Sequence, residues 1–473
     1  MNLKEKIDRE IFRSVGTAAD NLGIECYAVG GYIRDLFLNR HSKDIDFVAV
    51  GSGIEVAKEL ARIFPGKKPR VNVFRNFGTA QMIVSGEELE FVGARKESYS
   101  RDSRKPVVED GTLDDDLSRR DFTINALAVR VNSDGFGELV DRFNGLGDLE
   151  KKIIRATGNP DIIFSDDPLR MLRAIRFATQ LRFSIDYTTF EGIRKNAERI
   201  KIISGERIYV ELNKIMASPV PSIGWMLLED CGLLRLILPE LYNLKGVETV
   251  GGRGHKDNFY HTLQVLDKVA KTSDDIWLRW AALLHDIGKA STKKWIDGTG
   301  WTFYNHNIVG AYMIPKIFRR LRFPMDEKMK FVQKLVELHM RPIALVEDYV
   351  TDSAVRRLIV DAGEDLDSLM NLCEADITSK NSAKVSRFLE NYAIVRQKII
   401  DLDQKDQLRK YQPPVDGNEI MEIFNLTPSR TVGELKTYVR EKLLDSDTPN
   451  DRDFAMRLLF EKAAELGLEP VKK

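Results

Sequence analysis

This chain is short of cysteine, of net charge and of long apolar runs, and each shortage excludes something. Three cysteines in 473 residues, Cys26, Cys231 and Cys373, stand singly among apolar neighbours. They make neither a CxxC pair nor a disulfide framework, which fits a reducing cytoplasm. The start, Met1-Asn2-Leu3-Lys4-Glu5-Lys6, is charged and lacks the apolar stretch of a signal peptide. No apolar run reaches membrane-spanning length, and even 223–241 is broken by Glu229, Asp230 and Arg235, so no membrane partner is expected. Lysine and arginine number 72 and so do aspartate and glutamate, which excludes a surface coated in positive charge. A local track survives that balance, because nine basic and four acidic residues lie between Arg170 and Arg207. Histidine is scarce as well: there are six, and five fall between 255 and 339.

What is there belongs to a globular protein, 43% hydrophobic and 30% charged, too long for one ordinary core. The stretch around which the rest is organised runs from Val29 to Val50. Gly30-Gly31 ends the apolar run 26–29 and opens a helix-like segment carrying Arg34. Glycine admits close approach of a bulky ligand, and amides at a helix start attract phosphate. Residues 45–50 read as a strand, so Asp44 and Asp46 share a face while Ile45 turns to the core. Two carboxylates side by side repel unless a cation sits between them, and they form a seat for Mg²⁺. Either half alone is also what a plain turn or a solvated strand edge looks like. In this order they suggest phosphoryl or nucleotidyl transfer.

Helical spacing over 1–22 and 54–64, and strand patterns at 71–74, 79–84 and 89–92, suggest a small α/β head. Glu90, in the last of these strands, is either a third carboxylate or a solvated strand residue. The segment 95–117 is polar, basic in its first half and acidic in its second, and reads as an unusually long loop. In Arg119-Arg120-Asp121-Phe122-Thr123-Ile124-Asn125, the amide of Asn125 sits among apolar residues and needs partners if buried. Arg120, Asp121 and Asn125 can hold a triphosphate and ribose, or form an internal network. From about Ser165 the chain reads as helical. Asp167-Pro168 opens a helix on which Arg170, Arg173 and Arg176 recur every three residues. An Asp/Arg pair there can offer donors and acceptors to a nucleobase edge, and Asp167 can equally be only a cap.

The histidine-rich region centres on Leu283-Leu284-His285-Asp286-Ile287-Gly288-Lys289. His285 and Asp286 can converge on a metal with His261 and Asp376, and His306 and His339 can hold a second ion. Mixed imidazole and carboxylate donors suit Ni, Mn, Fe or Zn better than Mg²⁺. The last third is helical and charged, broken near Pro413-Pro414 and Pro428. Its Arg396, Lys398, Lys405, Arg409 and Lys410 form either an RNA track or a solvated face.

Taken in order, Gly30-Gly31 through Arg34-Asp35 to Asp44-Ile45-Asp46, then 119–127, then Asp167-Pro168-Leu169-Arg170, resemble the class II tRNA nucleotidyltransferase and poly(A) polymerase family. The histidine set resembles an HD phosphohydrolase domain. The resemblance implies an α+β fold: a small mixed-sheet head over 1–150, a helical neck and body over 151–245, an HD domain over 246–385 and a helical tail over 386–473. It implies addition of CCA to tRNA 3′ ends from CTP and ATP, with poly(A), CC-only or A-only addition as the alternatives, and an HD phosphohydrolase whose nucleotidyltransferase half only binds RNA as the reading of a different class. Asp44 and Asp46 would bind two Mg²⁺ ions, with Glu90 as third carboxylate. Gly31 and Arg34 would contact triphosphate, and Arg120, Asp121 and Asn125 triphosphate and sugar. Asp167 and Arg170 would read the base, supported by Arg173 and Arg176. The segment 95–117 would be the flexible loop of the C-to-A switch. Position 166 is Asp where the family commonly has Glu.

Overall fold

A computed structural model describes residues 1–66, 68–98, 107–250, 253–254, 257–347, 351–378, 382–406, 408–446 and 448–471. The chain divides into two compact units, Met1–Pro239 and Glu240–Lys473.

The first unit is built on a seven-stranded sheet. Its elements begin α1 (Glu10–Leu22), β1 (Cys26–Val29), α2 (Gly31–Phe37), β2 (Asp44–Ala49) and α3 (Gly53–Ile63). Next come β3 (Asn72–Phe74), β4 (Thr79–Val84), β5 (Glu87–Gly93), β6 (Arg95–Ser98) and β7 (Val107–Asp110). Then follow α4 (Leu113–Ser118), β8 (Leu127–Arg130) and β9 (Leu139–Asp141). The strand order is β3-β4-β5-β2-β1-β8-β9, with β2 and β5 parallel and the other neighbours antiparallel.

Alternation along β2 decides what each face does. Ile45 and Phe47 are fully buried, and Phe47 stacks on Phe91 at 5.1 Å and meets Phe12 of α1 at 5.9 Å. That face is the core. Asp44, Asp46 and Val48 point the other way. On their side one end is closed by an apolar cluster that includes Val29, Val48, Leu113 and Leu117. The carboxylate end stays open.

Where a long polar loop was expected at 95–117, β6 and β7 pair antiparallel and α4 begins with a Thr112/Asp115 capping box. The opposite charges of the two halves explain this: Arg95 lies across from Asp110 and Lys96 across from Glu109, and facing opposite charges favour pairing. Residues 99–106 of the expected flexible loop lie outside the described residues. The helix expected over 1–22 is also interrupted, at Asp8 and Arg9.

After the head the unit is helical, with α5 (Pro160–Asp166), α6 (Leu169–Leu181), α7 (Tyr187–Asn196) and α8 (Gly205–Met216), plus one short parallel pair at 153–154 and 184–185. The second unit carries α9 (Asn258–Thr272), α10 (Ile276–Leu284), a hairpin of β10 (Lys294–Ile296) and β11 (Gly300–Thr302), α11 (His306–Arg320), α12 (Glu327–Leu338) and α13 (Leu366–Asp376). Its last helices close on their own cluster of Ile420, Phe424, Leu435, Val439 and Leu459. Arg396, Lys398 and Arg409 pair with Glu374, Asp352 and Asp367 there. Among the described residues no helix is long and apolar enough to cross a membrane.

Candidate active site and metal centre

All twelve residues expected to carry carboxylate or nucleotide-binding roles line one cleft of about 640 Å³ in the first unit. Register brings the acids together: Asp46 lies opposite Glu90 in the parallel β2–β5 pair, so Asp44, Asp46 and Glu90 share the open face. Burial raises the Asp46 carboxyl above its ordinary value, opposed by Arg120 and reinforced by Glu90 and Asp44. A cation there relieves all three repulsions at once.

Gly30 forms the wall beside Asp46. It has φ +75°, and a Cβ there would lie 3.0 Å from Arg120 Nη1 and 3.6 Å from Asp46 Oδ2. Alanine at this position would combine backbone strain with displacement of the arginine. Gly30→Ala is expected to lower nucleotide incorporation by about 10- to 100-fold, the scale of a small misplacement in an active site, and to lower the melting temperature through the strained backbone.

Asn125 has the partners its burial demands. Its Oδ1 accepts from Arg34 Nη1 at 2.8 Å, and its Nδ2 donates to Asp121 Oδ1 at 3.1 Å. Arg173 Nε donates to the other Asp121 oxygen at 2.6 Å. The internal network offered as an alternative is therefore formed, on residues that still line the cleft. Burial alone would raise the Asp121 carboxyl, but Arg173, the Asn125 hydrogen bond and Arg170 hold it below its ordinary value. A depressed folded value means this carboxylate stabilises the fold above its unfolded pKa, and the contribution is lost as pH falls through the folded one. Asp121→Asn is expected to cost about 1–3 kcal/mol at pH 7. The gap in urea midpoint from the parent should narrow as the pH drops below about 4.

Several groups that the sequence reading passed over support these residues. Asp116, fully buried, accepts from both Arg119 and Arg120, the latter at 3.1 Å. Arg170 Nη2 donates to the Arg119 carbonyl at 2.8 Å. Asp167, one residue ahead of the α6 N-cap Pro168, accepts from the Leu169 amide at 3.2 Å, while its Oδ2 accepts from Arg207 Nη2 at 3.1 Å. Arg176 donates to buried Glu211 at 2.6 Å and lies 4.0 Å from the Phe177 ring centroid, the ring that Arg34 also approaches at 5.1 Å. Arg207 and Glu211 are four apart on α8, one helical turn, which is the signal that could have singled them out. Asp116 was hidden in an acidic run.

In the second unit the six expected ligands converge. His285 Nδ1 is 2.8 Å from the Ala282 carbonyl, His306 Nδ1 2.8 Å from that of Phe303, and His339 Nδ1 2.7 Å from that of Val336. A carbonyl only accepts, so Nδ1 carries the proton in each ring and Nε2 faces inward. His261 Nδ1 lies 3.0 Å from Thr378 Oγ1. Asp286 divides its oxygens: Oδ2 is 3.3 Å from His285 Nε2 and 3.7 Å from His261 Nε2, while Oδ1 is 3.4 Å from His306 Nε2 and 3.8 Å from His339 Nε2. Asp376 Oδ1 adds a contact of 2.7 Å to His261 Nε2 and one of 3.6 Å to His285 Nε2. Two groups of donors thus share one carboxylate, and His285 Nε2 is buried with no hydrogen-bond partner. Buried imidazoles presenting Nε2 around a shared carboxylate fit a pair of transition-metal ions.

The clustered groups also shift one another's protonation. Burial would lower the His285 imidazole, but Asp286 and Asp376 push it up to about 10. Burial together with the charge of His285 takes His339 down to about 4. Gly288 lies against the next ligand's backbone, since a Cβ there would lie 2.1 Å from the His306 carbonyl oxygen. Lys289 Nζ sits 2.7 Å from Asp286 Oδ2. His255 lies outside the described residues.

Known proteins match in the same order. The Poly A polymerase head domain family matches residues 26–155, the family described as the probable RNA and SrmB-binding site of polymerase A matches 182–244, and the HD domain family matches 258–369. An A-adding tRNA nucleotidyltransferase of Deinococcus radiodurans is 34% identical over 359 residues, spanning 73% of this chain and 79% of that protein. The chain belongs to the tRNA nucleotidyltransferase and poly(A) polymerase family. A CCA-adding enzyme of Lactobacillus johnsonii is 39% identical over 238 residues, covering 50% of this chain and 54% of that enzyme, about half its length. The crystal structure of a tRNA nucleotidyltransferase complexed with a primer tRNA and an incoming ATP analog shares 26% identity and a TM-score of 0.57, over 81% of this chain and 99% of that one. Like its relatives, this tRNA nucleotidyltransferase is an enzyme, and both its head and its HD domain are of metal-dependent kinds.

Proposed function

We propose that this tRNA nucleotidyltransferase adds CCA to tRNA 3′ ends from CTP and ATP, using Mg²⁺. The observation that carries the reading is the single cleft in which Asp44, Asp46 and Glu90 stand beside Gly30, Arg120 and the Asp167–Arg170 turn. In the reaction the tRNA 3′-hydroxyl attacks the α-phosphorus, a new phosphodiester forms, and the bond to pyrophosphate breaks. Asp44 and Asp46 would hold Mg²⁺, which would supply charge neutralisation for the attacking hydroxyl and the leaving pyrophosphate. Gly30 and Gly31 leave room for phosphate, and Arg34 and Arg120 bring positive charge to it. Asn125 and Asp121, with Arg120, are assigned to the triphosphate and sugar. Asp167 and Arg170 select the base by hydrogen bonds from protein rather than template, with Arg173 and Arg176 fixing the pocket behind them.

Base selection and RNA binding are assigned to 151–245, and further RNA contact to the tail, 386–473. The three buried, free cysteines suit a reducing compartment, so the reaction is assigned to the cytoplasm. A second reading, addition of the terminal A alone, is favoured by the name of the Deinococcus relative. Purified protein given tRNA lacking CCA, and tRNA ending in CC, with CTP alone, ATP alone or both, separates the two. Incorporation of C then A on the first substrate supports CCA addition, incorporation only on the second supports A addition, and none on either sinks both.

For the HD centre, within 246–385, we infer a phosphohydrolase acting on 2′,3′-cyclic phosphates or 2′-nucleotides. Its transition metal, Ni, Mn, Fe or Zn, would be held by His261, His285, Asp286, His306, His339 and Asp376. Lys289 places a cation beside Asp286, where a phosphate would gain from it. Hydrolysis that survives loss of Asp286 would remove this assignment.

A further inference from the structure

In the seven-stranded sheet, the assigned phosphate and sugar contacts that adjoin strands lie on one side of β2. Gly30 follows β1, and Asn125 precedes β8. The strands on that side are β1, β8 and β9, and those on the other are β5, β4 and β3. A growing RNA end must put its 3′-hydroxyl at Asp44 and Asp46 without crossing the nucleotide. It therefore has to approach over β5, β4 and β3.

Register shows what that approach consists of. Residues directly opposite across neighbouring strands point to the same face. One row runs Asp46, Glu90, Gln81, Asn72, and the row beside it runs Val48, Val92, Thr79, Phe74. A third, on the other flank, runs Asp44, Glu88, Ile83. The face holding the carboxylates thus continues about 14 Å outward over three strand spacings to the edge strand β3. The opposite face is helix-packed core as far as β4, with Val73 of β3 37% exposed at its edge, while this one bears the more exposed apolar side chains. Phe74 is 43% exposed, Ile83 70%, and Phe77, in the turn Arg75–Phe77 that joins β3 to β4, 72%. Arg75 is exposed in the same turn.

We propose that the outer part of this sheet face, over β4 and β3 beyond Glu90, with Phe74 and Ile83 on it and Phe77 in the adjoining turn, seats the single-stranded 3′ end of the acceptor RNA. The proposal rests on the reading of the chain as one that extends an RNA 3′ end. Aromatic rings on an open sheet face stack on bases whatever their identity, which is what a site receiving an end that changes with each addition requires. Arg75 supplies charge for the backbone where the acidic row ends. The apolar exposure has a use here that a sheet edge otherwise lacks, since an exposed apolar edge invites unwanted pairing.

The test uses the full chain with tRNA ending in CC and saturating ATP. Phe74→Ala and Phe77→Ala together are expected to raise the KM for tRNA about tenfold or more, the scale of lost base stacking, with kcat within about twofold. The KM for ATP should not move, and Phe74→Trp should retain the parent's KM. Because both side chains are exposed, the melting temperature should be unchanged. A 4-thiouridine placed next to the tRNA 3′ end should crosslink to the segment 71–83. An unchanged KM for tRNA with crosslinks mapping elsewhere would overturn the proposal. So would a change in oligomeric state without a change in KM, which would mark the edge as a protein-pairing strand instead. If the parent adds no nucleotide at all, the function proposed above fails on its own, while the crosslink still decides whether RNA lies on this face.

Discussion

Asp46→Ala is expected to reduce nucleotide incorporation by at least about a thousandfold while leaving the protein folded. The magnitude follows from what is removed: metal-borne stabilisation of developing charge contributes several kcal/mol, and each 1.36 kcal/mol is about a factor of ten in rate. Asp46 is central because it stands opposite Glu90 in register, two residues along from Asp44, and nearest to the Gly30 wall. The fold should tolerate the change, because the carboxylate is held above its ordinary pKa by burial and by its acidic neighbours. Removing it relieves repulsion rather than breaking a stabilising pair. The measurement is labelled-nucleotide incorporation alongside a thermal melt. A variant that unfolds, or one that keeps more than about a tenth of the parent rate, would contradict the assignment. Asp46→Asn should be nearly as inactive, since the amide keeps the shape and loses the charge.

The second large effect belongs to the other unit. Asp286→Ala is expected to abolish metal uptake at both donor groups, because one carboxylate faces His261 and His285 with one oxygen and His306 and His339 with the other. Elemental analysis of purified protein should show metal in the parent and none in the variant, while nucleotide incorporation by the head stays within about twofold. Metal binding stabilises the folded state by mass action, so the parent's melting temperature should fall when it is treated with chelator and the variant's should not. Metal-free, the variant should also be less stable than the parent. Asp286, together with Asp376, holds the His285 imidazole up at about 10, and that stabilisation is fully present below about pH 6.5 and lost as the pH rises through the raised value. Undiminished metal in the variant would show that the six residues do not form the site.

Some of this was legible in the residues alone. Alternation placed Asp44 and Asp46 on one face with Ile45 inward, because a strand's period of two leaves no other choice once one face is apolar. The Gly-Gly ending of the apolar run marked a close approach, and the neighbour of Gly30 in the fold is Arg120, from a segment ninety residues away. The clustering of histidines pointed to a metal centre because imidazole is costly to bury without a ligand or partner. The segment 95–117 was misjudged as a loop because its polarity hid a pairing in which one charged half faces the other.

The sequence by itself determined the periodicities, the chemistry of the donors and the order of the motifs, since these depend only on which residues stand near each other along the chain. It could not decide who holds whom. That Asn125 joins Arg34 to Asp121, that Asp116 anchors two arginines, that Asp167 is shared between its own helix and Arg207, and that Phe74 shares a face with Asp46 and Glu90 are matters of register and packing between distant segments. Only closure of the sheet and the packing of α6 against α8 fix these distances, because hydrogen bonds and ion pairs act over a few ångströms and the chain must fold before they can form.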